Sequence, residues 1–82
     1  MNSLRYTQEH SRRIGRLIDR YTTAIRLSCE DHRFKAEIED NYHSLRGILG
    51  SFYRVDYNKF LSRQENILEN LEKKLVKKLD AA

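Results

Sequence analysis

The sequence predicts an all-α protein on the strength of three observations. Its 82 residues include no proline and three glycines, so few positions oppose a helix. Apolar side chains recur every three or four residues, which is the spacing of one helix face. No segment alternates apolar and polar residues between turn signals, as a half-buried strand would. We therefore expect a single domain over residues 1–82, built as an antiparallel three-helix bundle or a long helical hairpin. Either arrangement can dimerise through a coiled-coil-like seam.

The first predicted helix covers about residues 3–29 and has two different sides. Ile14, Ile18 and Tyr21 fall within an apolar arc of about 100° on a helical projection. Most of the arginines of this segment fall on the opposite side. Gly15 weakens the helix by about 1 kcal/mol relative to alanine. This glycine either lets another helix approach closely or has no structural role.

The second predicted helix covers about residues 32–49, where Asp31 can cap its start and Gly50 can close its end. The break that follows is ambiguous, because Phe52 could continue the apolar stripe. Residues 47–56 therefore form either a turn or a bend within one long helix. The apolar residues at helical spacing in the second segment are Phe34, Ile38, Tyr42, Leu45, Ile48 and Leu49.

The third predicted helix covers about residues 56–80, with Asp56 as its cap. Its apolar residues step alternately by three and four, a heptad-like pattern typical of coiled coils. Gln64 and Lys78 fill the polar positions of this seam. The seam predicts a contact with a helix of another protein or of a second copy. Its candidate interface residues are Tyr57, Phe60, Leu61, Leu68, Leu71 and Leu75.

The net charge of +4 is unevenly distributed along the chain. Residues 1–29 carry a net charge of +4, residues 30–56 of −2 and residues 57–82 of +2. This pattern fits complementary packing between neighbouring helices, and it also fits a basic surface for an anionic partner.

The arginine side of the first helix is the candidate contact for phosphate or nucleic acid, because guanidinium groups bind phosphate through paired N–H donors. Glu9 and Asp19 interrupt that side and would repel phosphate. Alternatively, the arginines are solvated or pair with acids of the second helix, namely Glu37, Glu39 and Asp40. The candidate anion contacts are Arg5, Arg12, Arg13, Arg16 and Arg20.

Neither catalysis nor a metal or cofactor site is predicted. Asp40 and His43 stand three residues apart, but a single carboxylate–histidine pair does not make a metal site. Cys29 precedes Glu30 and Asp31, whose negative charges disfavour the thiolate. As the only cysteine, it cannot form an intrachain disulfide. No glycine-rich phosphate loop occurs.

The sequence thus predicts a small non-enzymatic helical module that binds another protein or itself, as an adaptor, inhibitor or assembly factor. The alternative is a nucleic-acid-binding protein that uses the arginine side. No apolar signal segment or membrane span stands out. Together with the single cysteine, this predicts a cytoplasmic protein, or one inside a host cell.

Overall fold

Three α-helices make up the part of the chain that the computed structural model describes, residues 6–50 and 56–81. They are α1 (Gln8–Leu27), α2 (His32–Leu49) and α3 (Tyr57–Ala81). No strand occurs within these described residues. The prediction of an all-α fold is therefore confirmed.

The N-terminus of α1 is held by a capping box with histidine in the position usual for glutamate or glutamine. The Thr7 hydroxyl accepts a hydrogen bond from the backbone N–H of His10 (3.3 Å), and the Thr7 N–H donates to His10 Nδ1 (3.1 Å). The predicted start at about residue 3 lies outside the described residues. Tyr6 and Thr7, which that prediction placed in the helix, are not helical. Apolar spacing suggested the earlier start, since histidine is not a recognised partner in the capping signal.

The C-terminus of α1 lies at Leu27, two residues before the predicted end. The Ser28 N–H donates to the carbonyl oxygens of Ala24 and Ile25, and the Ser28 hydroxyl donates to the Ile25 carbonyl at 3.0 Å. These bonds satisfy carbonyls that a helix end otherwise leaves without partners. A three-residue turn then leads into α2.

Both aspartates predicted as caps take that role. Asp31 Oδ1 accepts from the Phe34 N–H (3.1 Å), and Asp56 Oδ1 accepts from the Lys59 N–H (3.2 Å). Helix α2 ends at Leu49, with Gly50 as its C-cap. Residues 51–55, which hold part of the predicted turn or bend, lie outside the described residues.

The direction of each helix follows from the ion pairs between them. Arg13 pairs with Glu65 and Arg20 with Glu72, so α1 and α3 run parallel. Helix α2 pairs with α3 in the opposite order, through Glu37–Lys74 and Asp31–Lys78. The helices therefore form an up-down-up bundle measuring 48 × 19 × 15 Å. The alternative of one long helix through residues 47–56 is wrong, because α2 lies antiparallel beside α3.

The core runs along the bundle axis and receives side chains from all three helices. Leu17 and Tyr21 of α1, Ile38 of α2, and Leu61 and Leu68 of α3 are fully buried. Each buried aliphatic side chain contributes about 1.5–3 kcal/mol through its removal from water. The remaining apolar core residues are Ala24, Phe34, Leu45, Leu71 and Leu75.

Gly15 lies on the open side of α1, where a methyl group would find no atom within 4 Å other than those of its chain neighbours and the helix's own adjacent backbone. The close helix approach considered above is therefore absent at this position. We expect Gly15→Ala to raise the free energy of unfolding by up to about 1 kcal/mol, because alanine restricts the unfolded chain and favours the helix. Urea denaturation of both proteins measures this gain. A less stable variant would mean that Gly15 meets a partner.

Candidate interaction surface

The four leucines of the predicted seam lie inside the bundle. Leu61 and Leu68 are fully buried, and Leu71 and Leu75 are 4% and 6% exposed. Helices α1 and α2 of the same chain cover them. These four leucines are therefore not available on the surface of the folded chain, and a partner would have to open the bundle to reach them.

Tyr57 and Phe60, the other two candidate interface residues, are half-buried and pack against the core. The Tyr57 ring lies 5.3 Å from the ring of His10 and 5.2 Å from that of Tyr6. His10 is 5% exposed, and its Nε2 lies 2.9 Å from Oδ1 of Asn58. These contacts tie the start of α1 to the start of α3. Phe52, considered above as a continuation of the apolar stripe, lies outside the described residues.

The polar seam position Gln64 has a partner within the same chain. The Tyr21 hydroxyl donates to Gln64 Oε1 at 3.3 Å, and both side chains are buried between α1 and α3. Burial raises the pKa of the Tyr21 hydroxyl, so it stays protonated and able to donate. The pair fixes the register of the two parallel helices.

Two of the candidate anion contacts form paired hydrogen bonds with glutamates of α3. Arg13 donates from Nε and Nη2 to the two carboxylate oxygens of Glu65, at 3.1 and 2.7 Å. Arg20 holds Glu72 in the same way, with an Nε–Oε2 distance of 3.1 Å. The partners are on α3 rather than among the α2 acids considered above. This two-pronged geometry is what makes arginine suited to carboxylates.

The other candidate anion contacts are more open. Arg12 is exposed and lies 3.4 Å from Glu9 on the same helix. Arg16 is exposed and forms no salt bridge with any described residue, although its charge acts on Glu65. Arg5 lies outside the described residues. Among the described candidate contacts, a phosphate backbone would therefore meet two exposed arginines, Arg12 and Arg16, rather than a continuous stripe.

Acidic residues at the start of α2 and within it also pair with lysines of α3. Lys74 Nζ lies 3.4 Å from Glu37, and Lys78 Nζ lies 2.8 Å from Asp31. Lys78 also lies 5.2 Å above the centre of the Phe34 ring. Such exposed pairs contribute little stability individually, but they fix which side of α3 faces α2.

Acid should destabilise the bundle through Glu65. The hydrogen bonds from Arg13 lower the pKa of the Glu65 carboxyl, and nearby arginine charges act in the same direction. A lowered folded pKa stabilises the protein above the ordinary carboxyl pKa, and this contribution is lost as pH falls through the lowered value. We expect the melting temperature to drop between about pH 5 and pH 2. Glu65→Gln should have a lower melting temperature than the parent at pH 7, and its melting temperature should fall by less on acidification. The exposed control Glu69→Gln should have the same melting temperature as the parent at each pH.

A surface groove between α1 and α3 carries the largest cluster of exposed apolar side chains in the described part of the chain. Leu27, Val76 and Leu79 are 48%, 56% and 48% exposed, whereas most neighbouring apolar groups are buried. Ala24 and Leu75 form the floor. The groove encloses about 410 Å³. We call this surface, formed by Leu27, Val76 and Leu79, the apolar groove.

The apolar groove continues around the end of the bundle. A second depression of about 530 Å³ lies between the α1–α2 turn and the end of α3, and shares Leu27, Leu75 and Leu79 with the first. Cys29 and Glu30 line its polar side. Two other large apolar side chains, Tyr6 and Ile48, are exposed at the opposite end. Three of the five large exposed apolar side chains of the described residues therefore lie toward the end where α3 finishes.

The potential metal-ligating side chains of the described residues lie apart from one another. No three histidine, cysteine or acidic side chains come close enough there to hold a metal ion. Cys29 is exposed and free. Nor is any helix of residues 6–50 and 56–81 sufficiently long and apolar to cross a membrane.

Comparison of the chain with known protein families, curated proteins and solved structures found no match. In the sequence, Val76 and Leu79 only widen the apolar stripe of the third predicted helix, so apolar spacing does not single them out as exposed. Val76 is turned by about 60–140° around the helix axis from the seam leucines, which could have identified it, whereas Leu79 is turned by only about 0–80° and follows the stripe.

Proposed function

We propose that this chain is a small non-enzymatic interaction module that associates with a protein helix, its own or that of a partner. The observation that carries this proposal is the apolar groove, where three aliphatic side chains remain about half exposed. The largest apolar patches on monomeric proteins span about 300–600 Å² and are often functional. An amphipathic helix laid between α1 and α3 would cover these side chains and complete a four-helix bundle.

The arrangement of charge favours this function over nucleic-acid binding. Arg13 and Arg20 are held by glutamates, and Arg12 lies beside Glu9. Binding to phosphate on this side of α1 would require those pairs to break, or would rest on Arg16, the described candidate contact that has no salt bridge. Nucleic-acid affinity depends on the number of phosphates neutralised, so we expect weak binding at most.

Absolute mass in solution, with and without a short duplex DNA, tests this proposal. We expect the mass from sedimentation equilibrium to exceed 9.8 kDa as protein concentration rises, and to be unchanged by DNA at about 150 mM salt. A protein that stays monomeric alone and gains mass only with DNA would contradict the proposal and support the alternative. The variant Arg12→Ala/Arg16→Ala would then lose the DNA-dependent gain.

A further inference from the structure

We propose that the apolar groove binds a second copy of this chain, with the two α3 helices antiparallel about a two-fold axis that passes close to Val76. This inference rests on the proposed function and names the surface and the occupant. It is carried by the charges around the groove and by their spacing along α3, and the area of the apolar surface sets its expected strength.

The charges around the apolar groove are mixed in sign. Asp19 and Glu30, exposed acids without a salt bridge in the described structure, line the groove and its continuation around the end of the bundle. Lys77, an exposed cation without one, lines a neighbouring depression that shares Val76 with the groove. An acidic partner would meet the acids of this chain around the groove, and a basic partner would meet its cations. Like charges brought opposite each other disfavour association. A second copy carries the same mixture and can therefore match each sign with its opposite.

The positions of Lys73 and Asp80 along α3 allow opposite charges of two copies to pair. Lys73, Val76 and Asp80 lie within an arc of about 60° on one face of the helix. A two-fold axis just beyond Val76 sets each Lys73 opposite Asp80 of the other copy, three to four residues either side of the centre. Lys73 is available for this pairing, because its only described salt bridge is an exposed contact of 3.7 Å with Glu69.

The size of the surface sets the expected strength. Stable interfaces bury about 800 Å² on each partner, which three half-exposed aliphatic side chains and their charged rim do not reach. We therefore expect a reversible dimer with a dissociation constant on the order of 100 µM. The buried leucines of α3 take no part in it, so each copy remains folded on dissociation.

Substitution at the centre of the groove tests the apolar part of the inference. Val76→Glu should weaken dimerisation at least about tenfold, because two carboxylates would meet across the axis. Ile48→Glu makes the same change in charge at an exposed apolar position at the other end of the bundle, and it should dimerise like the parent. Sedimentation equilibrium measures both constants, and circular dichroism checks that each variant is helical. Equal weakening by both variants would overturn the inference.

A charge exchange between copies tests the antiparallel register. Lys73→Glu and Asp80→Lys should each dimerise roughly tenfold more weakly at low salt, because each sets like charges opposite one another. An equimolar mixture of the two should dimerise like the parent, since both cross-copy pairs are then of opposite sign. The double variant Lys73→Glu/Asp80→Lys should also recover. Restoration in the mixture cannot arise within a single chain.

The outcomes separate this inference from the proposed function. If the parent dimerises but the Lys73 and Asp80 variants dimerise equally well, the groove pairing is wrong and association through another surface stands. If the parent stays monomeric up to about 1 mM, the second copy is excluded as the occupant. A helix of a different protein would then be the remaining occupant under the proposed function.

Discussion

Replacing Leu68 by aspartate is expected to unfold the protein at room temperature. Leu68 is fully buried where α3 meets the rest of the bundle. The change removes about 2–5 kcal/mol of leucine packing and adds the cost of burying an unpaired carboxylate. Because small domains are stable by only about 5–15 kcal/mol in total, most of the free energy of unfolding would be lost. Far-ultraviolet circular dichroism should show most of the helical signal missing.

The matched control is Leu79→Asp, which makes the same change eleven residues later on the same helix. Leu79 is 48% exposed, so its carboxylate would remain in water. This variant should keep its helical signal and a melting temperature near that of the parent. A folded Leu68→Asp protein would contradict the placement of the seam leucines in the interior.

Removing the Tyr21 hydroxyl is expected to cost about 1–3 kcal/mol of unfolding free energy. Tyr21→Phe keeps the ring packing but leaves Gln64 Oε1 buried without its donor. A buried acceptor that loses its partner bears the cost of having left water. Chemical denaturation at neutral pH measures the difference, with the slope against denaturant showing whether both proteins expose the same surface.

A second substitution identifies the cause of that loss. Replacing Gln64 by leucine in the Tyr21→Phe background removes the unpaired acceptor and restores an apolar contact of similar length. The double variant should recover most of the lost stability, because replacing both partners by apolar groups is often nearly neutral. If Tyr21→Phe were as stable as the parent, the hydrogen bond would contribute nothing to the register of α1 and α3.

The helices and their caps could be predicted because the signals are local. Asp31 and Asp56 cap the helices that follow them as expected. The cap at Thr7 was not predicted, because its reciprocal partner is His10 rather than a glutamate or glutamine. Apolar periodicity indicated which face of α3 is buried, and Leu61 and Leu68 lie on that face.

Periodicity does not say which helix covers a buried face, and this is why the seam was assigned to an interface. A heptad-like stripe looks the same whether it packs within one chain or between two. The suggestion that the arginines of α1 pair with acids of α2 was wrong for a related reason. Both α2 and α3 lie beside α1, and only the three-dimensional register turns Glu65 and Glu72 toward Arg13 and Arg20.

The concentration dependence of the melting temperature tests the central claim that one chain buries its own α3 leucines. Linked folding and association make the melting temperature rise with protein concentration. Concentrations between about 1 and about 50 µM lie below the dissociation constant expected for pairing through the apolar groove. Over that range we predict that the melting temperature is unchanged. A midpoint that climbs by several degrees for each tenfold increase would show that folding requires a partner copy, and would contradict the single-chain core.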